Sequence, residues 1–446
     1  GRRMRDIVAT IQAEQDAVLR APPYQVVVLQ GVAGSGKTAV ALHRVAYLLY
    51  AYAGRMDASR VLVLAPNRLL LEYVERLLPG SLGVSGVRQM TVRQWQLEVI
   101  GLGAARVRFA AAGAPGRVAA FLASPRAVEA LAQWPAAETT GPRPSARGPA
   151  AAMGQRAIDS WLGFLTSPDG AAAHLPAAAR QEIADWAGGL RSGRLTAADL
   201  AATTFLADRM RGSDRTRYDH VVVDEAQDLT PLLCDVLARR CTGPSLTLVG
   251  DLAQSLGARP PASWQAVLGN AFRRQQVSTY VFRTSYRSTR QIVRFARGIL
   301  EHAGRQLDLP EPVPRDGPEP RVLRCPTPDD LRLSVEAAAG DLAARHTSVA
   351  VVVPDQPRAR EIAGWLGPAG FAPAGTGDQG SSAIRLVAPL ESVRGMEFDA
   401  VVVTDADAGH YPAGEVGVRR LYTVVTRAMH ELCVVYVGDP SPYLGS

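Results

Sequence analysis

Lysine is almost missing from this chain. Of 49 Lys plus Arg residues Lys37 is the only lysine, so 48 (49 − 1) are arginine. Cysteine is scarce as well: Cys234, Cys241, Cys325 and Cys433 form no C-x-x-C pair and no metal-ligand spacing. That pattern excludes a disulfide framework or a zinc ribbon, and predicts reduced core thiols in a cytoplasmic protein. No stretch reads as a signal peptide. The most apolar long run, 39–53, is interrupted by His43 and Arg44 and is too short to span a bilayer, so no membrane contact is expected.

What is present is globular. The 446 residues suit two or three domains, with 47% apolar and 20% charged residues. A formal charge of +7 suits an acidic partner such as nucleic acid or a nucleoprotein machine, and equally suits a solvated basic surface. The chain opens on Gly1 a few residues before its first motif, and a further segment upstream is expected.

The lone lysine sits in Gly31-Val32-Ala33-Gly34-Ser35-Gly36-Lys37-Thr38, which fits G-x-x-x-x-G-K-[ST] without a mismatch. The arginine excess reads as the codon bias of a GC-rich genome, which would have replaced any indifferent lysine. A phosphate-binding lysine is not indifferent. It acts as a compact, flexible point charge between the β- and γ-phosphates, where a planar guanidinium fits poorly. Residues 25–30 (QVVVLQ) predict a buried strand before the loop, and Thr38 onward predicts a helix after it. Gly34, Ser35 and Gly36 would bring backbone N–H groups around phosphate oxygens, the helix dipole would face the anion, and the Thr38 hydroxyl would hold Mg²⁺.

Along the rest of the chain, 5–20 predicts a helix carrying Gln12 and Gln15. A glutamine amide can read an adenine edge; a plain polar helix face is the other reading. Residues 60–65 and 87–92 predict two more strands, with a helix to about 78 between them. Strand–helix repetition after a phosphate loop argues for a doubly wound parallel sheet. From 95 to 217 alanine dominates and no strand is expected. Helices are predicted over 117–134, 155–165, 178–190 and 196–211, the last with Thr196 and Asp199 as a capping box. Residues 139–154, rich in Pro and Gly, predict a mobile loop.

The sheet pattern resumes at 220–223, which runs into Asp224-Glu225-Ala226-Gln227-Asp228. Adjacent acids at a strand end form a Walker B element: Asp224 can hold Mg²⁺ and Glu225 can accept a proton from an attacking water. Strand 245–249 ends in Gly250-Asp251-Leu252-Ala253-Gln254, where Gln254 can bond a γ-phosphate or that water. In the second half 281–288 leads into a predicted helix 289–300, followed by a Pro-rich linker 309–320 and strands at 349–353, 384–387, 400–404 and 431–437.

Taken in order, TIQAEQ, GVAGSGKT, DEAQD, VGDLAQS, SYRS, VRGMEFD and LYTVVTRA resemble the motif series of superfamily 1 helicases of the UvrD and Rep type. Within that group the stretches RDIVATIQAEQDAVLR, AVALHRVAYLLY, VLVLAPNRLLLEYVERLLP and LYTVVTRAMHEL look most like the HelD family, helicase-like ATPases that bind bacterial RNA polymerase. The resemblance implies an α/β protein with two RecA-like P-loop NTPase domains and parallel sheets. Its divisions would be 1–95 and 218–275 for the first domain, 96–217 for a mostly helical insertion, and 276–446 for the second domain. It implies ATP and Mg²⁺ as cofactors. Gln15, with Gln12 beside it, would contact adenine; Lys37, Thr38 and Asp224 would hold phosphate and metal. Glu225 would activate water, and Gln254 would sense the γ-phosphate. Arg287 and Arg427 would act as arginine fingers, and Glu397 would lie near the ribose.

Three departures from the helicase pattern weigh against strand unwinding, one being that 288–384 is too short to hold both second-domain strands and the large extra domain of processive helicases. Leu64-Ala65-Pro66-Asn67 stands where an aromatic usually supports single-stranded DNA, and Gln254-Ser255-Leu256-Gly257 lacks the aromatic that stacks on a base. Stacking is worth roughly 1–3 kcal/mol per base, so a weak single-strand grip on DNA is expected. Trp264 is expected in a core. The expected activity is an ATP-driven motor that binds RNA polymerase and promotes its release from nucleic acid, acting as a monomer. The alternatives are a 3′–5′ DNA helicase or translocase of UvrD/Rep type, and a binding module with ATP as a slow switch.

Overall fold

The computed structural model describes residues 15–67, 71, 84–102, 108–109, 116–134, 149–175, 177–191, 194–212, 216–257, 260–302, 308–374 and 384–444. Its contacts divide the chain into two compact units. The first comprises 1–28, 40–248 and 257–280; the second comprises 29–39, 249–256 and 281–446.

Six strands form one sheet: β1 (Val26–Gly31), β2 (Val61–Ala65), β3 (Arg88–Thr91), β6 (His220–Val223), β7 (Leu246–Gly250) and β8 (Val277–Phe282). Their order is β3-β2-β6-β7-β1-β8, and β2–β3, β2–β6 and β6–β7 pair parallel. Every residue of β1, β2, β6 and β7 is buried, as expected of Val- and Leu-rich strands covered on both faces. Helix α1 (Lys37–Ala51) follows β1 directly after the phosphate-loop turn. The helix expected up to 78 and the loop expected from 139 fall mostly outside the described residues.

The alanine-rich stretch departs from expectation in three places. Two short strands, β4 (Arg108–Phe109) and β5 (Arg194–Leu195), pair parallel where none was expected. The single helix expected over 117–134 is two helices, Gly116–Leu122 and Pro125–Gln133. The break falls at Ser124, because a residue before proline is pushed out of the helical region. Residues 149–154 belong to the helix Pro149–Thr166 rather than to a loop. The capping box stands as read. Thr196 and Asp199 exchange bonds at the head of helix Ala197–Met210, and buried Asp199 also accepts from Trp161 Nε1 at 2.8 Å.

The second unit holds a fully parallel sheet of β11 (Arg321–Cys325), β12 (Ser348–Val353), β13 (Ala372–Pro373), β14 (Ile384–Pro389), β15 (Phe398–Val403) and β16 (Ala428–Val437), in the order β11-β16-β15-β12-β14-β13. Strand alternation sorts its apolar residues into two cores. Ala350, Val352, Val401, Val403, Leu432 and Val434 pack on one face with Ile292, Ile299, Leu421 and Val424. Val349, Val351, Val353, Ala400, Val402 and Val435 pack on the other with Leu331, Val335, Leu342 and Ile362. Each such Val, Leu or Ile side chain contributes roughly 1.5–3 kcal/mol by leaving water, so a one-residue slip of any central strand would be prohibitive. β11 was not read from the sequence, and neither was the pairing of β9 (Thr284–Ser285) with β10 (Glu311–Pro312) inside the supposed linker.

All four cysteines are free and buried, as expected. Burial raises the Cys234 and Cys241 thiols to about 12, which keeps them protonated and inert. Among the described residues no helix is long and apolar enough to cross a membrane, and no group of three or more His, Cys, Asp or Glu could hold a metal ion.

Candidate active site

The phosphate loop is built by β1 and by two glycines with left-handed backbone, Gly34 at φ 70° and Gly36 at φ 79°. At Gly34 a side chain is also excluded sterically. A Cβ there would lie 2.9 Å from Ser285 Oγ and 3.2 Å from Arg287 Cβ. The loop is fastened at both ends by backbone bonds. Val32 N donates to Phe282 O at 3.0 Å, and Tyr286 N donates to Gly34 O at 3.0 Å. Arg287, the proposed finger from SYRS, is therefore anchored one residue from a backbone bond to the loop.

Inside the loop, Lys37 is 9% exposed and its Nζ donates to Val32 O at 3.4 Å, a long bond that a phosphate oxygen could displace. The Ser35 hydroxyl is buried with no partner among the described residues. A buried hydroxyl without a partner is costly, and an anion at the loop would satisfy it. Thr38, half-buried, stands in the first turn of α1, and that turn carries no acidic residue to oppose an anion at the helix N-terminus.

Arg427 is 3% exposed and uses all three of its nitrogens. Nε donates to Thr423 O at 3.0 Å, Nη1 donates to Met396 O at 3.2 Å, and Nη2 donates to Gln254 Oε1. Gln254 and Arg427, two residues read separately from the sequence, are thus direct partners. Arg287 is about half-exposed and pairs with Glu397. Glu397, expected near a ribose, is the residue that pairs with Arg287 in this structure.

The Walker B element is described within the first unit. Asp224 follows fully buried β6, is 5% exposed, and its N–H donates to Leu64 O at 2.9 Å, which fixes it against β2. Glu225 sits at φ 52°, ψ 39°, a left-handed conformation uncommon outside glycine. Its N–H donates to Asp224 Oδ1 at 2.8 Å, and its carboxylate accepts from Gln227 Nε2. The strain costs roughly 1–3 kcal/mol and aims Glu225 away from the course of the strand.

Gln15 is half-buried in the helical stretch 15–20, whereas Gln12 lies outside the described residues. Several residues that shape the site carry little or no mark in the sequence. Tyr286 reaches the loop only through its backbone, Met396 and Thr423 serve through their carbonyls, and Gln30 and Asp251 are buried polar residues beside the sensor turn. Backbone contacts leave no mark on side-chain patterns. Asp251 does carry a signal, as the acid in GDLAQ.

A family described as "AAA domain" matches residues 14–259. A second, described as "UvrD-like helicase C-terminal domain", matches residues 389–435. No curated protein matches. Among solved structures, the C-terminal domain of a possible DNA helicase from Lactobacillus plantarum WCFS1 is 30% identical. The match covers 36% of this chain and 92% of that one, with a TM-score of 0.30. The phosphate loop and Walker B element lie inside the first match, and Glu397 and Arg427 lie inside the second. The chain belongs to the AAA-domain family and is a P-loop ATPase of the UvrD-like, superfamily 1 helicase type.

Proposed function

We propose that this ATP-driven, helicase-like motor is of HelD type, binds RNA polymerase, and uses nucleotide turnover to promote release of the polymerase from nucleic acid. The observation that carries the reading is the stretch after Gln254. Where a strand-gripping helicase has a base-stacking ring, Gln254-Ser255-Leu256-Gly257 has none, and its one large apolar side chain, Leu256, packs against the apolar core of the second unit. Trp264, which could have replaced the ring, is 6% exposed and buried as expected. The basic charge of +7 remains suited to a nucleoprotein partner.

The residues present fit ATP with Mg²⁺. The unpartnered Ser35 hydroxyl, the glycine cradle and the long Lys37 bond all suit a triphosphate tail. Thr38 and Asp224 would hold the metal, which when bound offsets phosphate charge. Glu225 would take the proton of the attacking water. Arg287 would exchange the Glu397 carboxylate for phosphate oxygens, and Arg427 would offset charge developing on the transferred group. Loss of the γ-phosphate would return Arg287 to Glu397, which couples chemistry to a local rearrangement.

ATP turnover with and without single-stranded DNA, paired with capture of polymerase by the full-length protein in its own cells, tests the reading. Polymerase capture with little stimulation by DNA is expected. Strong stimulation together with duplex unwinding, and no polymerase, would instead establish the 3′–5′ helicase alternative.

A further inference from the structure

We propose that Gln30 is a positioning residue for ATP hydrolysis: through the buried Asp251 carboxylate it fixes the Gln254 amide, and thereby the Arg427 guanidinium. The inference rests on the reading that Arg427 offsets phosphate charge.

Gln30 is out of character with its strand. Val26 to Leu29 are apolar and fully buried, and Gln30 follows them at 4% exposure. A buried amide is costly unless both its ends are engaged. Sheet order places β1 beside β7, and Asp251 follows β7. Gln30 Nε2 donates to Asp251 Oδ1 at 3.0 Å, and Gln30 Oε1 accepts from Leu252 N at 3.2 Å. Both ends of the amide are spent on the turn that carries the sensor.

Asp251 is 1% exposed. Its Oδ1 also accepts from Ala253 N at 3.0 Å, and its Oδ2 accepts from Gln254 Nε2 at 3.1 Å. The Tyr422 hydroxyl near it is held well above its ordinary pKa, first by burial and then by this carboxylate, so Tyr422 stays neutral.

Chemistry then dictates orientation. A carboxylate only accepts and a guanidinium only donates. With Asp251 on one side and Arg427 on the other, the Gln254 amide has one workable setting: NH₂ toward Asp251, carbonyl toward Arg427. Turned over, it would face donor with donor and release Arg427. Gln30 ties the carboxylate that sets this orientation to the strand from which the phosphate loop departs. Nucleotide seating on the loop and aiming of Arg427 therefore share one buried set of bonds.

The test is a double-mutant cycle in the full chain with Gln30→Met, which keeps size and removes the amide, and Arg427→Ala. Single-turnover ATP hydrolysis at enzyme excess keeps slow variants measurable, a fluorescent ATP analogue reports binding, and thermal melting reports folding. Loss of a bond to a buried charged group predicts that Gln30→Met lowers the hydrolysis rate about tenfold, with analogue affinity changed less than about twofold. In the Arg427→Ala background the same change should cost less than about twofold. An equal loss in both backgrounds would overturn the proposal, since Gln30 would then act through the fold or the loop. So would an unchanged rate in Gln30→Met beside a large loss in Arg427→Ala. A full rate in Arg427→Ala would instead defeat the reading of Arg427 itself. Asp251→Asn is the second variant. It allows the Gln254 amide to turn over and should reproduce the pattern; if Gln30→Met fails to fold, the same outcomes are read from it.

Discussion

Both sheets end a strand on an acid in left-handed backbone: Glu225 after β6 and Asp405 after β15, each at φ 52°. Among the described residues these are the only two non-glycine positions with positive φ. Their partners differ. Asp405 is clasped by Arg358, whose Nε and Nη2 bond its two oxygens at 3.1 and 2.9 Å, and it also accepts from Thr404 Oγ1. Glu225 has a neutral partner, the amide of Gln227. The same strained turn thus serves two ends. A guanidinium that binds both oxygens makes Asp405 a brace between two elements, with its charge offset by a cation. The Gln227 amide instead holds one oxygen of Glu225 without a counter-charge. The left-handed turn alone does not distinguish the two acids; the charge of the partner does.

Two substitutions sharpen or break that comparison. Glu225→Gln should lower ATP turnover by roughly 10²–10⁴-fold, the range for loss of a general base, with nucleotide affinity kept within about tenfold. Steady-state phosphate release beside analogue binding checks it; turnover near wild type would end the assignment. Asp405→Asn should leave turnover within about twofold while lowering stability by about 1–2 kcal/mol, because Arg358 loses the more buried of its two charged partners, keeping only Glu361, in a site only partly open to solvent. Denaturant unfolding measures this, and a large loss of turnover would erase the distinction between the two turns.

The smallest effect concerns His220, at the head of β6. Its ring nitrogens meet Ser245 Oγ at 2.7 Å and Thr247 Oγ1 at 3.2 Å. Burial, and then Arg44 nearby, lowers its pKa to about 3. The folded pKa is below the unfolded one, so between them the unfolded chain binds a proton that the folded chain excludes. Stability should be complete above about pH 6.5 and fall toward pH 3 by at most about 1.4 kcal/mol per unit from this residue. His220→Gln should flatten the slope of melting temperature against pH; an unchanged slope would assign the acid sensitivity elsewhere.

Much of this was legible in the sequence because the chemistry is local. Gly34 to Thr38 and Asp224-Glu225 are contiguous, and the central strands of both sheets are apolar runs that only burial on two faces explains. What stayed hidden depends on distance along the chain or on weak patterns. The Gln30–Asp251 bond joins residues 221 positions apart and exists because β1 lies beside β7. The pairing of Arg287 with Glu397 spans 110 positions, and an arginine-rich sequence offers many equal candidates. β11 escaped because three of its five residues are exposed and a Pro-rich stretch precedes it, so it reads as linker. The break at Ser124 was legible in principle, since Pro125 was in plain view.

The central claim is that residues far apart in sequence complete one phosphate site on the Lys37 loop. The most direct measurement is ATP turnover of Arg287→Ala beside the wild type, with nucleotide binding followed in parallel. The account predicts a fall of at least about a hundredfold in turnover, as for loss of an arginine finger, with affinity changed far less. Turnover equal to the wild type at saturating ATP would contradict it.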